Sequence, residues 1–445
     1  MRVNFWGTRG SIATPGPATN HFGGNTSCVE LETAAGQSLI FDCGTGARPL
    51  GLKLAANPTK TGQYSILIGH THWDHIQGFP FFTPVFIPGN QIDVYAPEGG
   101  QKSLQDVLGG QMEFTYFPIE LAQLPATINY HKLGEGTYNI AGVKVITQFL
   151  NHPATTLGFR VESEQGSVVY LTDHEPFSER LWQSDKEPGH IESMLHEGDR
   201  RHARFMANAD LVIHDAQYTP EEYGAKKNWG HSTFDYVTEV AAAAGVRKLA
   251  LTHHDPTHDD DFVSDIERRA RETATQRGSS IEIFCAYEGC SLDIETGEGP
   301  QQETELSTPV VPTVAQNLLL VDDNEGLRKL TKKFLEREGY NIREACNGRD
   351  ALDRLAESVP DLLVLDLDMP QMGGLEVLRF VRAQPDVMSV PVLILTGSGE
   401  EASISACFAA GATDFILKPF STPQLIARVR ACLARVAAPH HSSAA

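Results

Sequence analysis

Seven cysteines scattered through 445 residues are too few for a disulfide framework. Cys285 and Cys290 form one near pair, but no second pair completes a zinc knuckle. A reducing, cytoplasmic compartment is the expectation. Positive charge is also scarce: 36 Lys and Arg face 57 Asp and Glu, a formal net charge of -21. That balance excludes a general pull on nucleic acid or anionic membrane, although it leaves room for a local basic cleft. No apolar run approaches the ~18–20 residues that cross a bilayer. Met1–Gly10 reads as a strand-like segment, so no signal peptide is expected. Internal repeats are absent. What remains, 41% hydrophobic and 21% charged, is an ordinary globular composition.

One stretch breaks the pattern. Residues 296–316, TGEGPQQETELSTPVVPTVAQ, have the Thr/Pro/Gln/Glu content of a linker. They divide the chain into a unit at 1–295, a second unit at 317–437 and a frayed tail at 438–445. In the second unit, apolar strands at 317–321, 341–344, 361–365, 390–395 and 414–417 alternate with helical segments such as 325–338 and 349–358. That βα alternation predicts a doubly wound parallel sheet. The first unit is less regular. Its short apolar strands at 64–69, 167–171, 211–213 and 249–252 each run straight into His or Asp, which places many polar side chains on one rim of a sheet.

The sharpest cluster is His70-Thr71-His72-Trp73-Asp74-His75, directly after the strand YSILIG. Two histidines at i and i+2 leaving a strand can converge on one ion, and the Asp and His on the turn beyond can reach a second. Imidazole and carboxylate donors suit Zn²⁺, with Mn²⁺ or Fe²⁺ as competitors. The motif resembles the HxHxDH signature of the metallo-β-lactamase superfamily, and the resemblance spans about the first 290 residues. It implies an αβ/βα sandwich with a two-metal site. It assigns His70, His72 and His152 to one metal, Asp74, His75 and His253 to the other, and Asp173 to both, with His254 as the alternative to His253 one residue on. A buried strand-end Asp such as Asp173 would be costly without a cation.

Two further segments, HDAQY at 214–218 and GHST at 230–233, resemble the ribonuclease Z and cyclic phosphodiesterase branch. By that resemblance His231 faces the scissile phosphate, Asp215 orients it, and Asp74 belongs to the catalytic set. A His–Asp pair makes a sound general acid for an alkoxide. Ser232 and Thr233 could equally cap the helix that begins FDYVTEV. Asp42, in FDCGTG, is expected to support the metal loop from behind.

In the second unit Asp322, Asp323, Asp366, Thr396 and Lys418 all sit at C-terminal strand ends, where ligands bind in open parallel sheets. Clustered carboxylates imply Mg²⁺. The pattern closely resembles a response-regulator receiver domain of flavodoxin-like fold. The resemblance makes Asp366 the phospho-acceptor and Asp322, Asp323, Asp366 and the Asp368 carbonyl the Mg²⁺ ligands, with Thr396, Phe415 and Lys418 as switch residues.

The combined expectation is a two-component response regulator with a binuclear metallohydrolase output. It would act on a small cyclic phosphodiester, either a cyclic nucleotide or a cyclic sugar phosphate, and answer to a histidine kinase or phosphotransfer protein. The acidic composition disfavours nucleic acid. A ribonuclease Z-like nuclease and a non-catalytic signalling scaffold are the alternatives. The apolar face of the last receiver helix, 421–436, is expected to dock on a partner receiver, as in a homodimer, or on the hydrolase.

Overall fold

The computed structural model describes residues 1–56, 62–97, 102–178, 180–182, 190–294, 316–397, 406–408, 410–418, 420, 425–426, 428–429 and 432–433. The expected linker, apart from Gln316, and the expected tail lie outside them. The chain divides into two compact units, Met1–Gln302 and Glu303–Ala445. No helix among the described residues is long and apolar enough to cross a membrane.

The first unit contributes β1 (Arg2–Gly7), β2 (Cys28–Glu32), β3 (Ser38–Phe41), β4 (Gln63–Leu67), β5 (Gln91–Pro97), β6 (Thr127–Leu133), β7 (Gly136–Ile140) and β8 (Val143–Phe149). It continues with β9 (Leu157–Ser163), β10 (Gly166–Leu171), β11 (Leu211–Asp215), β12 (Lys248–Thr252), β13 (Glu282–Cys285) and β14 (Ser291–Asp293). Two seven-stranded sheets result, ordered β14-β1-β2-β3-β4-β5-β6 and β13-β12-β11-β10-β9-β8-β7. Strand alternation explains how they stack. Leu39 and Phe41 of β3 join Phe159 of β9 and Tyr170 of β10 in the apolar layer between the sheets. Ile40, between them in sequence, points the other way with Ile66, Phe79 and Phe82 beneath the helix Ala47–Ala55. Helices Phe234–Ala243 and Asp260–Gln276 lie on the second sheet, against β11, β12 and β13. The architecture is the αβ/βα sandwich.

Topology then creates the site. β3 and β4 run parallel in one sheet, and β10, β11 and β12 run parallel in the other. Their carboxyl ends therefore open at one edge, where Asp42, His70, Asp173, Asp215 and His253 follow.

The second unit is a five-stranded sheet of β15 (Asn317–Val321), β16 (Asn341–Ala345), β17 (Leu362–Asp366), β18 (Val392–Thr396) and β19 (Asp414–Leu417). The order β16-β15-β17-β18-β19, parallel throughout, is the flavodoxin-like arrangement. β17 is buried on both faces, with Leu363 and Leu365 on one side and Leu362 and Val364 on the other, which is why it reads as an unbroken apolar run. One expectation is corrected here. Of the segment 421–436, Leu425, Val429, Cys432 and Leu433 pack with Leu318, Leu320 and Leu362 in this unit's own core, so these side chains are not free to dock elsewhere.

All four tryptophans, at 6, 73, 182 and 229, belong to the first unit, so their fluorescence reports its unfolding alone. Phe159, fully buried between the sheets against Phe41 at 5.9 Å, anchors that layer. Phe159→Ala should destabilise this unit by about 3–5 kcal/mol, read as a lower urea midpoint of the tryptophan signal; an unchanged midpoint would contradict the packing argument.

Candidate metal centre

Three local devices aim the histidines. His75 donates its Nδ1–H to Asp42 Oδ2 at 2.7 Å, His152 donates to the Gly230 carbonyl at 2.9 Å, and His253 donates to Gln217 Oε1 at 3.0 Å. Each bond fixes the tautomer and leaves the Nε2 lone pair facing inward, the usual preparation of imidazole for a metal. Asp42 is itself held by the Gly69 N–H and the Tyr170 hydroxyl. Gly230 is required where it stands: its φ is +91° and a Cβ there would lie 2.1 Å from His152 Nδ1. Gly10 is required for the same reason, since its Cβ would strike the His253 ring, and it lets the Ser11 N–H reach Asp74 Oδ2 at 2.8 Å.

The inward atoms form two triads. Ligand atoms of His70, His72 and His152 lie within 4.8 Å of one another, as do those of Asp74, His75 and His253. Asp173 stands between them. Its Oδ1 is 3.9 Å from His70 Nε2 and 4.0 Å from His152 Nε2, while its Oδ2 is 3.1 Å from His75 Nε2 and 3.5 Å from His253 Nε2. The structure thus brings all seven residues together. It also separates the two candidates at 253 and 254: His254 turns away, with its Nε2 2.9 Å from the Ala286 carbonyl.

The donor set fits divalent cations. His70 is buried with both ring nitrogens lacking a hydrogen-bond partner, and Asp173 Oδ2 is likewise unbonded. Such groups are expensive to bury unless something else satisfies them. Burial pushes His70 well below its ordinary value and takes His152 down to about 3, so both are neutral donors. Burial also opposes the Asp173 carboxylate, but the imidazoles of His253, His75 and His70 outweigh it and hold its pKa well below the usual range. At His75 burial is overcome by the carboxylates of Asp74, Asp173 and Asp42, which favour a positive charge there. A cation between the same groups meets that demand. The backbone is held in the left-handed region at Asp42 (φ 58°), Asp173 (φ 64°) and His253 (φ 59°), all non-glycine positions at strand ends.

His231 borders this centre. Its ring stacks on His253 at 5.0 Å, and its Nδ1 lies 3.7 Å from Asp173 Oδ1 and 3.4 Å from Asp215 Oδ2. Asp215 meanwhile accepts from the N–H groups of His174 and Ser232, so it fastens the strand end and the GHST loop together. Neither hydroxyl of that loop caps the helix: Ser232 donates to the His174 carbonyl, and Thr233 makes no capping bond. Sequence reasoning had no role for Gln217, although its place two residues beyond Asp215 on an exit from β11 was a usable signal. It also had none for Glu175, which accepts from Asn228 N–H and Gly230 N–H and so pins the loop carrying His231.

In the second unit, carboxylate oxygens of Asp322, Asp323 and Asp366 lie within 4.8 Å of one another. Lys418 Nζ reaches Asp322 Oδ2 at 2.9 Å and Asp366 Oδ2 at 2.8 Å. Burial raises the Asp366 carboxyl, Asp322 adds to the rise, and Lys418 opposes both. One ammonium shared between two of three clustered carboxylates leaves negative charge over, which fits a further cation. The Asp368 N–H donates to Asp366 Oδ1 at 3.3 Å, Thr396 is buried at the end of β18, and Phe415 meets Phe408 edge to face at 5.8 Å.

Comparison with known proteins divides the chain in the same way. Residues 37–254 match the beta-lactamase superfamily domain, and residues 318–430 match the response regulator receiver domain. Over 118 residues the chain is 42% identical to the phosphate regulon transcriptional regulatory protein PhoB of Rhizobium meliloti, covering 26% of this chain and 52% of that one. It is 43% identical over 118 residues to the transcriptional regulatory protein ResD of Bacillus subtilis, covering 26% and 48%. The chain spans about half the length of these curated relatives. Among solved structures, the metallo-beta-lactamase fold protein YhfI of Bacillus subtilis is 17% identical, with 65% of this chain and 98% of that one covered and a TM-score of 0.45. Human short-form tRNase Z is 21% identical, with 66% and 100% covered and a TM-score of 0.45.

Replacing Asp42 by Asn removes the charged acceptor behind His75. Metal affinity should fall ~10–100-fold, measured by chelator competition, with the circular dichroism spectrum unchanged. Full metal retention would show that Asp42 serves only the fold.

Proposed function

We propose that this chain, which joins a β-lactamase superfamily domain to a response regulator receiver domain, is a response regulator whose output is a two-metal phosphodiesterase. The observation that carries the reading is the Asp173 carboxylate, which turns one oxygen to each ligand triad while His231 stands at its side. His70, His72 and His152 would hold one divalent cation, Asp74, His75 and His253 the other, and Asp173 both, with Zn²⁺ favoured by the imidazole-rich set. Bound there, the pair supplies Lewis acidity toward a phosphoryl oxygen and a lowered pKa for water.

The chain's own residues do the rest. His231 Nδ1 lies 3.4 Å from Asp215 Oδ2, a carboxylate that orients the ring and leaves Nε2 to deliver a proton to the departing alkoxide. Asp215 carries its negative charge throughout, because burial is outweighed by the imidazoles of His214 and His231. Asp74, fixed by the Ser11 N–H, keeps its carboxylate beside His75 and His253.

A small cyclic phosphodiester is favoured over RNA by the state of the arginines on the helix Glu197–Met206 and on the helix Asp260–Gln276 with its C-terminal Arg277. Arg200 and Arg204 pair with Glu197 and Glu192, and Arg201 pairs with Glu135. Arg268 pairs with Asp265 and Glu272, Arg271 with Glu267, and Arg277 with Glu239. Cations already neutralised in place offer a polyanion little. In the receiver, Asp366 accepts a phosphoryl group from a histidine kinase or phosphotransfer protein, with Asp322, Asp323 and the Asp368 carbonyl holding Mg²⁺ and Thr396, Phe415 and Lys418 responding. The added charge of about -1.5 to -2 competes for Lys418. The cytoplasm supplies such donors.

Two measurements test this. His231→Ala should lower kcat on a cyclic phosphodiester ~10²–10⁴-fold with bound metal unchanged; loss of metal together with turnover, both restored by excess metal, would make His231 a ligand instead. Asp366→Asn should abolish labelling by acetyl phosphate and any change of hydrolysis rate that acetyl phosphate produces in the parent chain. Labelling that persists would exclude Asp366 as the acceptor.

A further inference from the structure

The rim of the metal centre carries large aromatic surface that the hydrolytic machinery does not use. Trp73 sits between His72 and Asp74 and is 75% exposed; Trp229 directly precedes Gly230 and His231 and is 57% exposed. A single exposed apolar residue needs no explanation, but two exposed tryptophans that each adjoin residues of one centre in sequence call for one. Each is next in sequence to a residue that contacts His152: His72 Nδ1 lies 3.4 Å from His152 Nε2, and the Gly230 carbonyl takes the hydrogen bond from His152 Nδ1.

Trp229 is exposed yet held. Its own N–H donates to the Lys226 carbonyl at 3.2 Å, and the residues on either side, Asn228 and Gly230, both donate their N–H groups to the buried Glu175 carboxylate. The ordering is therefore already done before anything binds, which is the condition under which stacking contributes most. On the Trp229 ring lies a charge. Lys226 Nζ is 4.4 Å from that centroid and 5.5 Å from the Tyr218 centroid, with no carboxylate partner among the described residues. The Tyr218 ring in turn meets His231 edge-on at 5.9 Å. In a chain carrying -21, an ammonium kept on aromatic faces beside the general acid is a position for an anion from outside.

We propose that Trp229 and Lys226 form the substrate-recognition arm of the centre, with Trp229 stacking a nucleobase and Lys226 reading a phosphate oxygen of the same nucleotide. This rests on the phosphodiesterase reading and narrows it: the substrate is a nucleotide, and a cyclic sugar phosphate without a base is a poor one. Flat π surface selects for a planar heterocycle, and a sugar ring offers none.

The test uses the metal-loaded full chain and two inert probes that differ only in the base, adenosine 5′-monophosphate and ribose 5-phosphate, titrated by calorimetry. The parent chain should bind the nucleotide more tightly. Trp229→Ala should weaken nucleotide binding roughly tenfold to a hundredfold and leave ribose 5-phosphate unmoved, whereas Trp229→Phe should keep most of the preference. Lys226→Gln should weaken both probes by a similar factor. Equal affinity of the parent chain for the two probes, or a Trp229→Ala effect that is the same on both, overturns the base-stacking role. No effect of Lys226→Gln on either overturns the phosphate role. Failure to hydrolyse any phosphodiester, with the preference for the nucleotide intact, would sink the catalytic reading and leave base recognition standing.

Discussion

A single buried carboxylate sets the terms for the first unit. Asp173 leaves β10 with its backbone in the left-handed region and sends its two oxygens toward different histidine groups. Remove its charge, and five imidazoles face one another across a few ångströms with Asp74 the one carboxylate left inside the ring of donors. Keep it, and each histidine has a direction to face. Asp42 behind His75, Gln217 behind His253 and the Gly230 carbonyl behind His152 are answers to that one placement.

The sandwich explains why so many donors meet without a dedicated scaffold. Parallel strands deliver their carboxyl ends to the same edge, so each crossover adds one more polar side chain to a shared rim. The receiver uses the same rule on a smaller sheet, where Asp322, Asp366, Thr396 and Lys418 arrive from four neighbouring strands. The two units gather oxygen or nitrogen donors at a sheet edge by the same geometric means.

Much of this was legible from the chain because the relevant signals are local. HTHWDH, the apolar run of β17 and the acidic strand ends are compact patterns whose meaning depends on few neighbours. Tertiary partners were less accessible. Gln217 and Glu175 matter because of what folds back onto them, and neither stands in a motif of metal-ligand residues. The last receiver helix misled for a related reason: an apolar helical face announces that something covers it, and here the cover is the parent sheet. At His253 and His254 sequence offered two adjacent imidazoles, and only the left-handed turn at residue 253 decides which enters the site.

The left-handed turns at Asp42, Asp173 and His253 gather three non-glycine strain points along the edge where cations would be held. Anything that binds the native state alone deepens its stability by mass action, so cations held there would add to the stability of this unit. Chains synthesised under metal starvation would therefore carry their weakest seam along this rim, the first place for a protease to enter. Turnover of the polypeptide would then follow the supply of ions as closely as catalysis does.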